Sequence, residues 1–369
     1  MQIKRDACKE TAFSWLWAAS GVMRTGRREV SAAFSACGVA FCLLAALCND
    51  PASTAWLVAQ LLHSFYPWPT TAAIWLEDWT FLQWEGGTSP SAPKSAPSVP
   101  KPLPELPITA STAELQQPFI VRGMLNGTAA VRDADQWLRA PPISSLQVPF
   151  YSDSSKGALS PDQIGAVDDI VRAILSGGPQ KLATELVVRA HPELLDALEI
   201  VPPLARLLGA TPFEKWRIGK TLSVPIFMGT GSADRAVRTD LHSEPIGSAT
   251  LQLVGSKRWT LVTGSQSRRL RPSIAADGRA FLRTRRAHGP DGLQAIAESG
   301  ADHFEVEQHV GDMLWVPTWT WHRVDYVPNV TALSLSLFHL RAEQLMKHPL
   351  LTAAVLPALL KELVAWKTQ

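Results

Sequence analysis

Beyond residue 48 the chain contains no cysteine: all four, Cys8, Cys37, Cys42 and Cys48, fall in its first 48 positions. A disulfide framework, thiolate metal ligands and a Cys-type structural zinc site are therefore excluded from the rest of the chain. Charge of one sign is lacking too. With 35 Lys and Arg against 33 Asp and Glu, the formal net charge is +2, so any basic partner-binding surface has to be local. No internal repeat at a period of 20 to 50 residues is visible, which sets solenoid architectures aside. What is present is 369 residues with 46% apolar content, enough for one domain of roughly 200 to 250 residues plus appendages, and too apolar for bulk disorder.

Residues 1–29 form a basic N-terminal segment, and Val30–Cys48 is an uncharged run preceded by Arg24, Arg27 and Arg28. A helix over that run is about 28 Å long, close to the hydrocarbon thickness of a bilayer. Three readings stay open: a signal anchor with its basic end cytoplasmic, a cleaved signal or organellar presequence read from Met23, and a buried helix. The first two make the protein membrane-associated, or place it in the secretory pathway or an organelle. Residues 49–85 are Trp-rich, with Trp56, Trp68, Trp75, Trp79 and Trp84, and read as helices at a membrane interface or packed against one another. Residues 86–107 carry a proline every few positions and read as an extended linker.

A mixed region follows over 108–345, with C-terminal helices over 346–369. Ser160–Leu175 and Pro179–Leu198 carry helical spacing. SVPIFMGT, SATLQLVG, KRWTLVTG, GDMLWVPT, WHRVDYV and TALSLSLFHL are short β-rich runs bounded by Gly, Pro and Asp. The fold class expected is mainly β with flanking helices: a jelly-roll or barrel over Thr221–Leu340, plus the N-terminal helical or membrane segment.

Within the barrel region, Thr239-Asp240-Leu241-His242-Ser243-Glu244 places an imidazole and a carboxylate two residues apart, a spacing that on a strand puts both on one face. His322 follows in GDMLWVPTWTWHRV, where Gly311-Asp312 predicts a turn, the apolar run a strand, and Pro317 its end before a second strand. Two histidines and one carboxylate on one face of a metal leave positions open, the arrangement that suits a non-haem Fe(II) oxygenase.

DLHSEPIGSATLQLVGSKRWTLV and GDMLWVPTWTWHRV together resemble the JmjC/cupin-like family of Fe(II)- and 2-oxoglutarate-dependent oxygenases, over roughly Gln116–Leu340. QPFIVRGML and DADQWL resemble the domain's opening. The chain is similar in particular to the hydroxylase branch exemplified by the asparaginyl hydroxylase of hypoxia-inducible factor. The resemblance implies a double-stranded β-helix holding Fe(II) through His242, Glu244 and His322. It implies that Lys257, fifteen residues after the first ligand, and Thr239, three before it, bind the distal carboxylate of 2-oxoglutarate. Glu244 stands where that branch has Asp, and Ser248 and Ser336 stand where it has Asn near the cosubstrate. The implied reaction consumes 2-oxoglutarate and O2, releases succinate and CO2, and hydroxylates a protein side chain. An RNA-modifying hydroxylase and a histone demethylase are further branches, the latter set back because no cysteine-rich reader is present. A non-catalytic cupin scaffold is the rival from another class.

Weaker signals concern partners. Arg268, Arg269, Arg271, Arg279, Arg283, Arg285 and Arg286 cluster between two predicted strands, where an acidic peptide or RNA would be attracted or where the charges are simply solvated. Trp315, Trp319 and Trp321 either wall the site or pack the barrel's outer face. Leu350, Leu351, Val355, Leu359, Leu360 and Leu363 in the C-terminal helices either form a homodimer interface or pack against their own chain.

Overall fold

The computed structural model describes residues 50–65, 71–84, 99–107, 114–134, 136–154, 161–208, 220–234, 237–275, 279–285 and 292–368. The uncharged run 30–48, the basic segment before it, the four cysteines, Trp68, Arg286 and most of the proline-rich stretch lie outside the described residues. Among the described residues no helix is long and apolar enough to cross a membrane. The described residues divide into two compact units, one of those within 1–92, 273–282 and 345–369, the other of those within 93–272 and 283–344.

The first unit is built on helices Pro51–Phe65, Thr71–Trp84 and Pro349–Thr368. Asp50 caps the first, its Oδ1 accepting the amides of Ala52 and Ser53 at 3.1 and 3.3 Å, and Pro51 follows at the position where a missing N–H costs nothing. Trp56 is fully buried, and its ring lies 5.8 Å from that of Trp84, so these two indoles pack within the unit. The carboxylate of Glu77, also fully buried, accepts from Gln60 Nε2 and, at 2.7 Å, from Ser273 Oγ. Gln60 Oε1 in turn accepts the amide of Ile274 at 2.8 Å, which ties the segment 273–282 to the helices. Leu351, Val355 and Leu359 of the C-terminal helix are buried.

The second unit is the β-barrel. Its first strands are β1 (Lys101–Pro102), β2 (Phe119–Val121), β3 (Gln147–Tyr151), β4 (Gln163–Ala166), β5 (Lys181–Thr184), β6 (Lys220–Ser223), β7 (Ile226–Thr230), β8 (Arg238–Ser243), β9 (Gly247–Val254) and β10 (Lys257–Val262). Short strands β11 (Pro272–Ile274) and β12 (Leu282–Thr284) border the segment given to the first unit. β13 (Phe304–Gln308), β14 (Met313–Val316), β15 (Trp321–Tyr326) and β16 (Thr331–Leu340) complete it. One sheet runs β1-β13-β10-β15-β8, the other β2-β14-β9-β16-β7-β5-β3-β4, with β6 beside β16.

Alternation along the strands separates two interiors. Ala249, Leu251 and Leu253 of β9 and Leu333, Leu335 and Leu337 of β16 join one apolar core with Val167, Ile170, Val171 and Ile174 of helix Val167–Leu175. Those four positions form one helical stripe, and each fully buried aliphatic side chain there contributes about 1.5 to 3 kcal/mol. The intervening residues, Ser248, Thr250, Ser334 and Ser336, face the space between the sheets. Leu314 and Val316 of β14 face the same way and pack there with Trp259, Leu261 and Val324.

Two sequence expectations change. Helical spacing predicted Pro179–Leu198 as a helix, but Lys181–Thr184 is β5, paired with β7, and the helices after it are short, Leu186–Ala190 and Leu194–Ala197. Over Ser160–Leu175 the helix begins only at Val167, because Gln163–Ala166 is taken by pairing with β3. The end of the proline-rich stretch is also structured: Lys101 and Pro102 pair with β13, and Leu103 is buried against Ile120 and Leu314.

Candidate active site

His242 and His322 are directly opposed residues of β8 and β15, with ring centroids 4.2 Å apart and an interplanar angle of 54°. Glu244 lies just past the last residue of β8, so the two-residue spacing works across a strand end and not within a strand. There the amide of Trp319 donates to the carbonyl of Glu244 at 2.9 Å and fixes the turn. Trp319 adopts φ +66°, a left-handed conformation that a bulky residue rarely takes. One ligand atom from each of His242, Glu244 and His322 lies within 4.8 Å of the others, and His242 Nε2 is 3.5 Å from Glu244 Oε1.

Each imidazole Nδ1 faces the carbonyl of the residue two positions earlier, His242 to Asp240 at 2.7 Å and His322 to Thr320 at 3.0 Å. An Nδ1–H donated to a carbonyl leaves Nε2 as the free lone pair, so both rings are held in the tautomer a metal requires. Burial, then the neighbouring His242, pushes the His322 imidazolium down to about 4 against the opposing pull of Glu244, and the ring is neutral near pH 7. Two imidazole nitrogens and one carboxylate oxygen, side by side and partly accessible, fit a divalent iron with open coordination positions.

Between His242 and Thr239 the β8–β15 register shifts: His322 faces His242, but Val324 faces Thr239, three residues against two. This β-bulge turns Thr239 to the same interior as His242, which strict alternation forbids. Lys257 opens β10 opposite Tyr326 and is buried at 2% exposure. Its Nζ donates to Ser334 Oγ at 2.6 Å and lies 4.8 Å above the Tyr326 ring and 5.8 Å above that of Phe227. Burial, and secondarily Lys181, hold its pKa well below the usual lysine range. No acidic side chain pairs with it among the described residues, so the barrel holds a buried lysine amine with no carboxylate beside it, a group that an incoming anion would favour in its charged form.

Ser248 and Ser336 sit in the same interior, linked through Thr250: Ser248 Oγ to Thr250 Oγ1 is 3.2 Å, and Thr250 Oγ1 to Ser336 Oγ is 2.9 Å. Of the three indoles read as walling the site or packing the barrel's outer face, Trp315 stacks on Phe119 and on His339, with its Nε1 donating to Leu115 O at 2.9 Å. Trp321 donates to Ser267 Oγ at 2.9 Å. Both neighbour strand residues that face inward, and alternation sends them to the opposite face. The indole beside the ligands is instead Trp259, whose ring centroid is 6.1 Å from that of His322. In the arginine cluster, Arg269 donates to Gly300 O at 2.8 Å and Arg279 stacks 4.8 Å over Phe281.

Two facing sheets whose interior carries opposed histidines, an adjoining carboxylate and a buried cation define a metal-competent double-stranded β-helix. Residues 167–341 match the family described as a cupin-like domain, of JmjC type, a span that opens on helix Val167–Leu175 and closes at the end of β16. No curated protein matches the chain.

Proposed function

We propose that this cupin-like domain is an Fe(II)- and 2-oxoglutarate-dependent oxygenase that hydroxylates a protein side chain. The observation that carries the reading is the pairing, within one interior, of a two-histidine, one-carboxylate set with a buried lysine that has no acidic partner among the described residues. JmjC-type cupins commonly include such oxygenases. His242, Glu244 and His322 would hold the iron, and Lys257 with Thr239 would receive the far carboxylate of 2-oxoglutarate. When bound, that pair supplies oxidative decarboxylation: one oxygen atom of O2 enters succinate as CO2 leaves, and the other enters a substrate C–H bond.

The chain's own residues bind and orient. The carbonyls of Asp240 and Thr320 keep both imidazole protons on Nδ1. Trp259, Leu261, Leu314 and Val316 exclude water from one side of the interior. Lys257 meets a carboxylate with a charge-assisted bond whose strength rises with its burial. Glu244, one methylene longer than Asp, still reaches the histidine pair because the turn after β8, rather than the strand, carries it.

Anaerobic addition of Fe(II) and 2-oxoglutarate to the full chain is expected to give a visible charge-transfer band, and admission of air to give succinate. Both are expected to be lost in His322→Ala. A wild-type protein that retains no ferrous ion would end the oxygenase reading and leave the scaffold reading in its place.

A further inference from the structure

We infer that Lys181 is a second cosubstrate cation, which brackets with Lys257 the far carboxylate of a dicarboxylic 2-oxo acid and selects that acid over one with an uncharged tail. The inference rests on the oxygenase reading above and refines it.

Lys181 on β5 pairs with Gly229 on β7, which pairs with Ala332 on β16. One long side chain therefore stands beside two small ones on the inner face of the second sheet. Gly229 leaves room here, and a Cβ on it would lie 3.2 Å from the Tyr326 ring, tighter than an ordinary contact. In the space so left, Lys181 Nζ reaches across the barrel to 3.4 Å from Thr239 Oγ1 on β8, and lies 5.1 Å from the centroid of the Tyr151 ring. Lys257 makes the reverse crossing, from β10 in the first sheet to Ser334 on β16 in the second. Two lysine amines thus enter one interior from opposite walls, close enough that Lys181 depresses the pKa of Lys257.

Burial lowers Lys181 itself to about 8, partly offset by Asp240. That carboxylate is engaged by Arg238 Nε at 3.0 Å, and no acidic oxygen lies within ion-pair distance of either lysine among the described residues. Hydroxyls from Thr239 and Ser334 can orient the two cations but cannot neutralise them. Like charges facing one low-dielectric space disfavour each other until an anion arrives. Thr239 joins this pair to the metal ligands, because it shares β8 with His242 and the bulge aims both inward. A ligand held at the iron by its 2-oxo acid end therefore presents its other end to both ammoniums.

The test uses the full chain loaded with Mn(II), which does not turn over, and calorimetric titration with 2-oxoglutarate and with 2-oxopentanoate, the same carbon skeleton without the second carboxylate. Lys181→Met is expected to weaken 2-oxoglutarate binding by roughly ten- to a hundredfold while leaving 2-oxopentanoate within a few-fold, and Lys181→Arg to recover most of the loss. The ligand-free Lys181→Met protein is expected to melt no lower than wild type, since a repulsion with Lys257 is gone. If Lys181→Met binds 2-oxoglutarate as wild type does while Lys257→Met does not, the inference is overturned and the oxygenase reading stands. Equal losses for both acids with a lowered melting temperature would assign Lys181 a structural role and also overturn it. A wild-type protein that binds neither acid removes the oxygenase reading, and the inference with it.

Discussion

His339 and His322 are both neutral because protein surrounds their rings and an imidazolium there would lose its water. Burial, against the pull of Leu337 O, takes His339 down to about 3. It stacks on Trp315 at 4.6 Å and 13°, and its Nε2 has no hydrogen-bond partner among the described residues. The folded state therefore refuses a proton that the unfolded chain accepts near pH 6.5. The sign follows directly: where the unfolded state binds more protons, stability rises with pH, so the stability tied to His339 is complete above about pH 6.5 and drains as the pH falls toward 3. His339→Phe keeps a ring against Trp315 and removes the titration. Between pH 7.5 and pH 5 its urea-unfolding free energy is expected to fall less than that of wild type, by on the order of 2 kcal/mol. Parallel pH profiles for the two proteins would show that His339 does not titrate between the states. Gly247 opposite makes this position exacting, because a Cβ there would come within 2.5 Å of His339 Nε2 and 3.0 Å of Val316 O.

Among the elements, the turn before β14 sets where that strand begins, the one that precedes the second histidine strand, β15. Gly311 adopts φ +86°, and a Cβ on it would meet Asn126 Oδ1 at 2.3 Å, so the position admits only glycine. Asp312, 3% exposed, gathers three donors: the amide of Gly123 at 2.9 Å on Oδ1, and on Oδ2 the amide of His309 at 2.9 Å and Arg122 Nη1 at 2.7 Å. Asp312→Asn turns an NH2 toward donors and removes the charge that holds Arg122. It is expected to lower the urea midpoint at unchanged slope, by about 2 to 4 kcal/mol of stability. An unaltered midpoint would mean that the carboxylate does not hold the β2–β14 pair.

This turn was legible in the sequence because Gly-Asp before an apolar run has few other uses, His322 because it sits on the β-rich run WHRVDYV, and His242 because its two-residue spacing from Glu244 suits one face of a strand. Other features were not. Thr239 was named only through the family resemblance, because it faces inward through a bulge and a one-residue register shift leaves no mark in local composition. Lys181 lies in a four-residue strand whose partner β7 is more than forty positions away, and the apolar residues from Leu186 onward impose helical spacing on the stretch. The alternation Lys181-Leu182-Ala183-Thr184, with Leu182 and Thr184 buried, was the available signal, too short to outweigh the helix that follows. Trp259 stands far from His322 in sequence and beside it in space, because strand pairing, rather than sequence distance, decides which ring stands beside a ligand.

At the scale of the molecule, every residue assigned to metal or cosubstrate, from Lys181 to Ser336, belongs to the β-barrel unit, while helices Pro51–Phe65, Thr71–Trp84 and Pro349–Thr368 belong to the other. A ligand that binds only the folded barrel stabilises it by mass action, by about 2.7 kcal/mol at a free concentration one hundred times its dissociation constant. Amide hydrogen exchange on the full chain with Mn(II) and saturating 2-oxoglutarate is thus expected to slow in β8, β10, β15 and β16, which carry His242, Lys257, His322 and Ser334. Exchange in the three helices of the first unit is expected to stay as it is without ligand, because their core of Trp56, Phe81 and Glu77 contains no ligand-binding group. Protection rising equally in both units would show that they unfold as one cooperative block, and stability changes read from any barrel variant would then report on the whole chain. Protection confined to the helices would place the ligand outside the barrel and contradict the assignment of His242, Glu244, His322 and Lys257 together.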